Sequence, residues 1–394
     1  MKRVFALLTI VMALFNLCAC GAQGGTETTP SATDETQLKI DTTATETDIA
    51  KLEALYSGRV AYHGDLHDHA NTGGTGDGKN TLDEWKENLK EKDMDFVAIV
   101  DHKQLAHMYL PEWDDSLFIG GSEAATNLWD LDVSSNQVHY NMLFSDPEGL
   151  RGVLTKYMTK FQFLNGDNFT YTGLSTEEMR TLGEVIREHN GLLVHVHPKI
   201  NGMLTSDNPL DYWFGDETGF EVLTGKHGNM SAPTNQEAYA IWTELLAMGK
   251  RVFATSGSDT HRLSETVSLA TIYSEEKDSG AYLDHVRQGD LTAGPVGIRM
   301  SIGDTITGGV GSFAGNRLVV SVGDFHSQEY KNTHIYRVDV YDDQGLVFSQ
   351  ELKGSATEYF AIDVDETAKF YRAVVVDTSD DYIFAVGNPI WNQQ

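Results

Sequence analysis

Cysteine is nearly missing from this chain. Only Cys18 and Cys20 occur in 394 residues, both within the first twenty positions. Beyond them there is no thiol, so cysteine catalysis, disulfides and thiolate metal sites are excluded for the rest of the chain. Positive charge is also scarce: Lys and Arg number 29 against 58 Asp and Glu, a formal net charge of −29. Nucleic-acid binders need basic stripes that displace counterions from phosphates, so nucleic acid is not an expected partner. The same balance disfavours loose association with anionic membrane surfaces. A Gly-x-Ser-x-Gly nucleophile elbow is absent as well, which leaves no sign of a serine nucleophile.

Among the features present, the first is an address. Lys2 and Arg3 precede an apolar run, Val4 to Leu17, too short to span a bilayer comfortably. The run ends in Leu17-Cys18-Ala19-Cys20-Gly21. This resembles a bacterial lipobox, in which the final cysteine is lipidated and becomes the new N-terminus. The expectation is a lipoprotein signal peptide over 1–20 and an exported, extracytoplasmic protein held to a bacterial membrane by lipid on Cys20. An ordinary signal peptide with an incidental cysteine is the alternative. Residues 21–50, rich in Thr, Ser, Gly and acidic groups and lacking aromatics, read as a disordered tether. Order is expected to begin near Asp48, where Ile49, Leu52 and Leu55 suggest a short helix.

From Val60 short apolar runs alternate with helical patterns. The runs Arg59–Leu66, Phe96–Val100, Leu117–Gly120, Val138–Phe144, Leu192–Val196, Phe220–Leu223 and Val252–Thr255 read as buried strands. Helical patterns cover Leu82–Lys92, Ser175–His189, Asn235–Met248 and Ala281–Gln288. The second opens on a Ser175/Glu178 capping box. This alternation predicts an α/β fold with a parallel sheet closed as a barrel over 51–295. After Pro295 the texture changes to a Gly-rich stretch and short alternating strands (Leu318–Val322, His334–Tyr341, Leu346–Leu352, Tyr359–Val364, Phe370–Val376). These predict a small all-β C-terminal domain, a sandwich, over 296–394.

Chemistry-bearing residues gather at the C-terminal ends of the predicted barrel strands, the edge where such barrels carry their sites. In order they are His63-Gly-Asp65-Leu-His67-Asp-His69, Asp101-His102, Gly121-Ser-Glu123, His139, His195-Val-His197-Pro198 and Gly257-Ser-Asp259-Thr-His261. A lone strand-end histidine is more often packed than ligating, and one His-x-His is a weak signal. Chance would not place His, Asp or Glu on the same edge of six successive strands. Imidazole and carboxylate together suit Zn, Mn or Fe, and a carboxylate can bridge two cations. Closely spaced metals lower the pKa of a bound water and stabilise attacking and leaving oxygens.

This ordered set resembles the PHP (polymerase and histidinol phosphatase) superfamily over roughly Val60 to Gly294. The resemblance implies a distorted seven-stranded, TIM-like PHP barrel with a site for two or three divalent ions. Carried over by motif, His67, His69, Glu123 and Asp259 would hold one metal. A second would share Glu123 and add His139 and His197. A third would take Asp77, His102 and His261. Asp77 lies in Gly76-Asp77-Gly78, after a stretch, Asn71 to Thr75, that is longer and more glycine-rich than the family's usual pattern. The ending Gly387-Asn388-Pro389-Ile390-Trp391 is similar to the CehA/McbA-like metallohydrolases, a branch associated with carboxyl- or carbamate-type ester as well as phosphoester cleavage.

Around this set stand secondary candidates. Glu123 and Asp259 are expected to be essential to catalysis. Arg262 and Lys199 abut ligand motifs and could clamp an anionic substrate; for Lys103 and Lys226, solvated rim charge is the plainer reading. His227 is a candidate substrate contact or proton donor. His63 and His195 share strand sides with His67 and His197 by alternation, as donors behind the ligands or as core. Asp65 and Asp101 are candidates to orient imidazoles. Trp213 and Phe214 either wall the pocket or pack the core. The function expected is a metal-dependent hydrolase that uses metal-activated water to cleave a small phosphoester. Hydrolysis of a carboxylic or carbamate ester on the same metals is the alternative, and a non-catalytic, metal-stabilised binding module is a third reading.

Overall fold

The computed structural model describes residues 43–393 except 157–160, 166, 201, 226–230, 268, 328–333 and 355. The lipobox-like segment, most of the expected tether, Lys226 and His227 lie outside the described residues. Among the described residues, no helix is long and apolar enough to cross a membrane.

Strands β1 (Val60–Asp68), β2 (Phe96–Ile99), β3 (Phe118–Asn127), β4 (Gln137–Phe144), β5 (Phe161–Asn165), β6 (Asn168–Tyr171), β7 (Leu192–Val196), β8 (Thr218–Thr224), β9 (Val252–Gly257), β10 (Ala270–Ser274) and β11 (Leu291–Ala293) make up the first three quarters of the chain. Among the described residues six α-helices accompany them: α1 (Glu46–Leu55), α2 (Leu82–Glu91), α3 (Pro147–Lys156), α4 (Thr176–Glu188), α5 (Pro233–Ala247) and α6 (Ser279–Arg287). Helix α1 starts inside the segment expected to be a tether, because Thr45 and Asp48 close a capping box at its first turn. The capping box read at Ser175 is present, and α4 buries Met179, Leu182 and Ile186 on one face.

The strands pair in the order β11-β10-β1-β2-β3-β4-β7-β8-β9. Residues of β2, β7, β8 and β9 are buried throughout, the signature of strands covered on both faces. The sheet curls until its far strand returns to β1. Asp68 and Thr260 form an isolated parallel bridge. The Asp259 N–H donates to the His67 carbonyl (2.8 Å) and the His69 N–H to the Thr260 carbonyl (3.0 Å). Thus the first and last chemistry-bearing segments, nearly two hundred positions apart, lie side by side.

The expected all-parallel sheet needs correction. β1, β2 and β3 run parallel to one another, as do β7, β8 and β9, but β4 runs antiparallel to both its neighbours and β10 antiparallel to β1. A parallel return needs a crossover of a dozen or more residues, usually a helix. The 128–136 connection has none, so β4 reverses. The reversal brings the start of β4, not its end, to the functional rim.

The tail is β-rich, as expected, with β12 (Gly297–Ile302), β13 (Thr305–Ile306), β14 (Val310–Gly311), β15 (Arg317–Gly323), β16 (Tyr336–Asp342), β17 (Leu346–Glu351), β18 (Glu358–Asp363), β19 (Phe370–Asp377), β20 (Tyr382–Gly387) and β21 (Ile390–Asn392). One sheet, β13-β12-β15-β18, faces strands β16, β19, β20 and β21 across a core that includes Met300, Val320, Val338, Val375 and Phe384. This second layer does not stand apart from the first three quarters of the chain. β20 pairs with β11 at Thr292↔Gly387 and Ala293↔Val386, so one hydrogen-bonded sheet crosses the position where a domain boundary was expected. The pairing satisfies an edge of β11 that would otherwise expose unpaired backbone.

The tail reaches β9 as well. Asn388 is fully buried, its Oδ1 accepts the Ala254 N–H (2.6 Å), and its Nδ2 donates to the Ala254 carbonyl (3.1 Å). One amide side chain thereby supplies β9 with the two backbone partners that a neighbouring strand would supply. Here the Asn-Pro-Ile ending has a physical role: it seals the strand that leads into Ser258-Asp259-Thr260-His261.

Candidate metal centre

Glu123, in the middle of β3, is the hub. Its buried carboxylate has five imidazoles around it. His139 Nδ1 (2.6 Å) and His197 Nε2 (3.1 Å) approach Oε1. His67 Nε2 (3.3 Å), His69 Nε2 (3.2 Å) and His102 Nδ1 (3.4 Å) approach Oε2. Asp259 adds a second carboxylate: its Oδ1 lies 3.4 Å from His69 Nε2, 3.6 Å from His261 Nδ1 and 3.8 Å from His67 Nε2. Asp77 stands at the more exposed end, 3.2 Å from His261 Nε2, 3.7 Å from His102 Nε2 and 3.8 Å from His69 Nδ1. All nine residues named as ligands from the sequence are therefore brought to one place. They fall into two neighbouring groups that share no residue, His67/Glu123/His197/Asp259 and His69/Asp77/His102/His261, each of which could hold a metal ion. His139 completes the first through Glu123.

Local structure explains the convergence. His67 belongs to β1 and His69 follows it directly. β4 presents His139 because it is reversed. His197 and Asp259 take left-handed backbone, with φ of 30° and 52°, and Lys103, next to His102, has φ of 51°. Such conformations cost about 1–3 kcal/mol each in non-glycine residues and persist where surrounding structure enforces them. Glycine permits the closest approach: a Cβ on Gly257 would collide with the His67 Cβ and with Glu221 Oε1. The Gly-rich stretch before Asp77 is held down by Asp101, whose Oδ1 accepts the Ala70 N–H (2.7 Å) and whose Oδ2 accepts the Thr72 hydroxyl. Gln104 donates to the Gly73 carbonyl (2.7 Å). These bonds fold the longer loop back so that Asp77 faces the histidines.

The donor set fits divalent cations. Both ring nitrogens of His69 are buried and make no hydrogen bond, although carboxylate oxygens lie 3.2 and 3.4 Å from Nε2. The ring stacks on His261 (centroids 4.2 Å) and His102 (4.8 Å), an arrangement that suits neutral imidazoles better than mutually repelling imidazolium ions. Without a cation the electrostatics are strained. Burial opposes charge on His69, yet the adjacent carboxylates of Asp259 and Glu123 outweigh it and push the ring up to about 10. Burial likewise opposes charge on His67, but Glu221 and then Glu123 hold it well above its ordinary value. For Glu123 burial favours the neutral acid, and the charge of His67 with hydrogen bonds from His139 and His197 overrides it, so the carboxyl stays well below the usual range. Asp259 is depressed in the same way, burial being outweighed by His69 and His67. His102 is lowered, mainly by burial. The carboxylates demand positive charge, and divalent ions with neutral imidazole ligands would supply it.

Glu221, in β8, stands outside the set of residues the sequence points to. It is buried, its Oε2 accepts the His197 N–H (2.5 Å), and its Oε1 lies 3.4 Å from His67 Nδ1. It thus grips the face of His67 turned away from Glu123. The available signal was a carboxylate inside the otherwise apolar run Phe220–Leu223, since charged residues are almost never fully buried without a partner.

The secondary candidates are sorted by what packs beside them. Asp65 and Asp101 orient backbone rather than imidazoles: Asp65 Oδ1 accepts the N–H groups of His67 and Ser258 (both 3.0 Å), and Asp101 holds the loop described above. Asp65 is pushed up to about 7, chiefly by burial. Lys199 is held beside Tyr212, its ammonium donating to the Tyr212 hydroxyl (2.9 Å). His195 is core: its Nδ1 bonds the Tyr212 carbonyl (3.1 Å) and its ring stacks on Phe214 at 4.2 Å. Alternation did not carry from His195 to His197 because β7 ends at Val196 and the chain turns left-handed. Phe214 packs that core, while Trp213 lies under Lys250 and Arg180. His63 sits at the opposite end of β1, beside Thr271 and His326. Arg262 is exposed next to His261.

No protein-family model matches this chain, and no curated protein matches it. Among solved structures it is similar to the crystal structure of the novel lesion-specific endonuclease PfuEndoQ from Pyrococcus furiosus, at 15% identity and a TM-score of 0.41. The match covers 58% of this chain and 56% of that one. The chain thus spans little more than half the length of that protein.

Proposed function

We propose that this chain is a metal-dependent hydrolase that cleaves a small phosphoester at a two- or three-metal centre. The observation that carries the reading is the convergence of five histidines on one buried carboxylate, Glu123, with Asp259 and Asp77 beside it. Bound there, Zn, Mn or Fe would lower the pKa of a coordinated water and neutralise charge on the transferring group. The chain's own residues do the rest. Glu123 and Asp259 set the spacing of the ligands, and Glu221 and Asp65 fix His67 from behind. Arg262, exposed beside His261, is proposed as a cation for an anionic substrate, and His227 as a substrate contact. The PHP assignment, with its CehA/McbA-like branch, rests on the motif order and the Asn-Pro-Ile ending.

Hydrolysis of a carboxylic or carbamate ester is the second reading. The hydrogen bond that turns the Lys199 ammonium towards the Tyr212 hydroxyl favours it over a substrate that needs a dedicated cation. The deciding experiment loads purified protein with Zn, Mn or Fe and assays p-nitrophenyl phosphate, bis(p-nitrophenyl) phosphate and p-nitrophenyl acetate in parallel. Metal-dependent turnover that is lost on chelation supports a hydrolase, and the preferred substrate selects the reading. No turnover of any of them by protein holding more than one metal equivalent would leave the binding-module reading in place. Export and anchoring through Cys20 are proposed from the lipobox-like segment; Cys20→Ala should abolish lipid labelling.

A further inference from the structure

A further group of ligand-type side chains lies in the tail, sharing no residue with the centre above. His334 precedes β16, Asp377 ends β19, and Asp380 lies in the turn before β20. One potential ligand atom from each falls within 4.8 Å of the others. His334 Nδ1 is 2.6 Å from Asp377 Oδ2 and 3.6 Å from Asp380 Oδ2.

Proximity alone would be an ordinary ion pair, but the details differ. Asp377 is fully buried. Its Oδ1 is well used: it accepts the N–H groups of Ser379 (2.9 Å) and Asp380 (3.3 Å), which folds the turn and carries Asp380 back beside it. Its Oδ2 makes no hydrogen bond, and neither does His334 Nδ1. An imidazolium donating to Asp377 would place its proton on the line between these atoms. At 2.6 Å the two approach closely without that alignment. A buried carboxylate oxygen with no donor is costly, and a second carboxylate drawn to the same spot adds repulsion. A shared cation removes both costs.

We propose that His334, Asp377 and Asp380 form a separate site for a divalent ion of the zinc or manganese type. One imidazole nitrogen and two carboxylate oxygens are a donor set such ions accept, with water completing the shell. The register pairs Tyr336 with Asp377, so the ion staples the entry of β16 to the β19–β20 turn. Its role is to lock the tail layer whose strand β20 continues the main sheet through β11. The inference does not depend on the main centre being a hydrolase.

The test uses the full chain without a polyhistidine tag. Metal content is measured for wild type, His334→Gln and Asp380→Asn after loading with zinc and gel filtration, and melting is followed with and without EDTA. Asp377 is left intact because its Oδ1 holds the turn. Each variant should carry one equivalent less than wild type, and its melting temperature should fall below wild type only when zinc is present. Wild-type metal content in both variants would overturn the proposal. So would a melting deficit of equal size in EDTA, which would mark these residues as an ordinary polar contact.

Discussion

Glu221→Gln tests the centre at the residue least visible in the sequence. For His67 to present Nε2 as a ligand, its Nδ1 must carry the proton and donate. Glu221 has an acceptor oxygen for that proton, 3.4 Å away, and a second for the His197 N–H at 2.5 Å. Glutamine is the same size but has one acceptor oxygen and one NH2. If its oxygen keeps the His197 N–H, its NH2 faces the Nδ1–H of His67, donor against donor. If it flips, the His197 N–H is left unsatisfied. Either way one buried charge-assisted bond is lost and one donor orphaned. Outer carboxylates of this kind are worth about 10–100-fold in metal affinity or activity, about 1.4–2.7 kcal/mol. The assay is zinc affinity by competition with a chromogenic chelator, together with kcat/KM on the best substrate found. Affinity should fall within that range and the folded far-UV spectrum should persist. Wild-type affinity and turnover in Glu221→Gln would refute the argument that His67 is set from behind by a carboxylate.

Three further outcomes are expected. Glu123→Gln and Asp259→Asn should each abolish turnover and lower bound metal measured by elemental analysis, because each removes a charge shared by several histidines; full occupancy with wild-type rates would sink the multinuclear centre. Asn388→Ala should destabilise the protein by about 2–5 kcal/mol in urea unfolding, since it orphans the buried Ala254 N–H and carbonyl together. His195 should make stability acid-sensitive. Burial holds its folded pKa near 3 against an ordinary 6.5, so as pH falls below 6.5 the unfolded chain takes up a proton the folded chain refuses. Stability should then drop by about 1.4 kcal/mol per pH unit for this group. Asp65, raised to about 7 by burial, runs the opposite way, so the informative quantity is the difference in slope between wild type and His195→Gln, both chelated, from pH 6.5 to 4.5. Equal slopes would contradict a buried neutral imidazole.

The histidines and carboxylates that gather around Glu123, and their order along the chain, were legible because strand periodicity and strand-end chemistry are local. Buried strands announce themselves as apolar runs, and a His or Asp that interrupts the end of such a run is conspicuous. The α4 capping box was equally plain, since Ser175 and Glu178 bond within one turn. What the chain could not reveal locally was direction and partnership. The reversal of β4 depends on the connection after β3 lacking a helix, and only the reversal explains how His139 reaches Glu123. The fate of each secondary polar residue was decided by what packed beside it. Lys199 was taken by Tyr212 and His195 by Phe214, whereas Glu221 was drawn into the centre from a strand that looked merely apolar. The tail's continuity with the main sheet rests on hydrogen bonds between β11 and β20, and the sealing of β9 on Asn388, 134 positions from Ala254. Periodicity and composition belong to neighbours in sequence, but desolvation and the pairing that offsets it belong to neighbours in space, and those were settled only when the sheet closed.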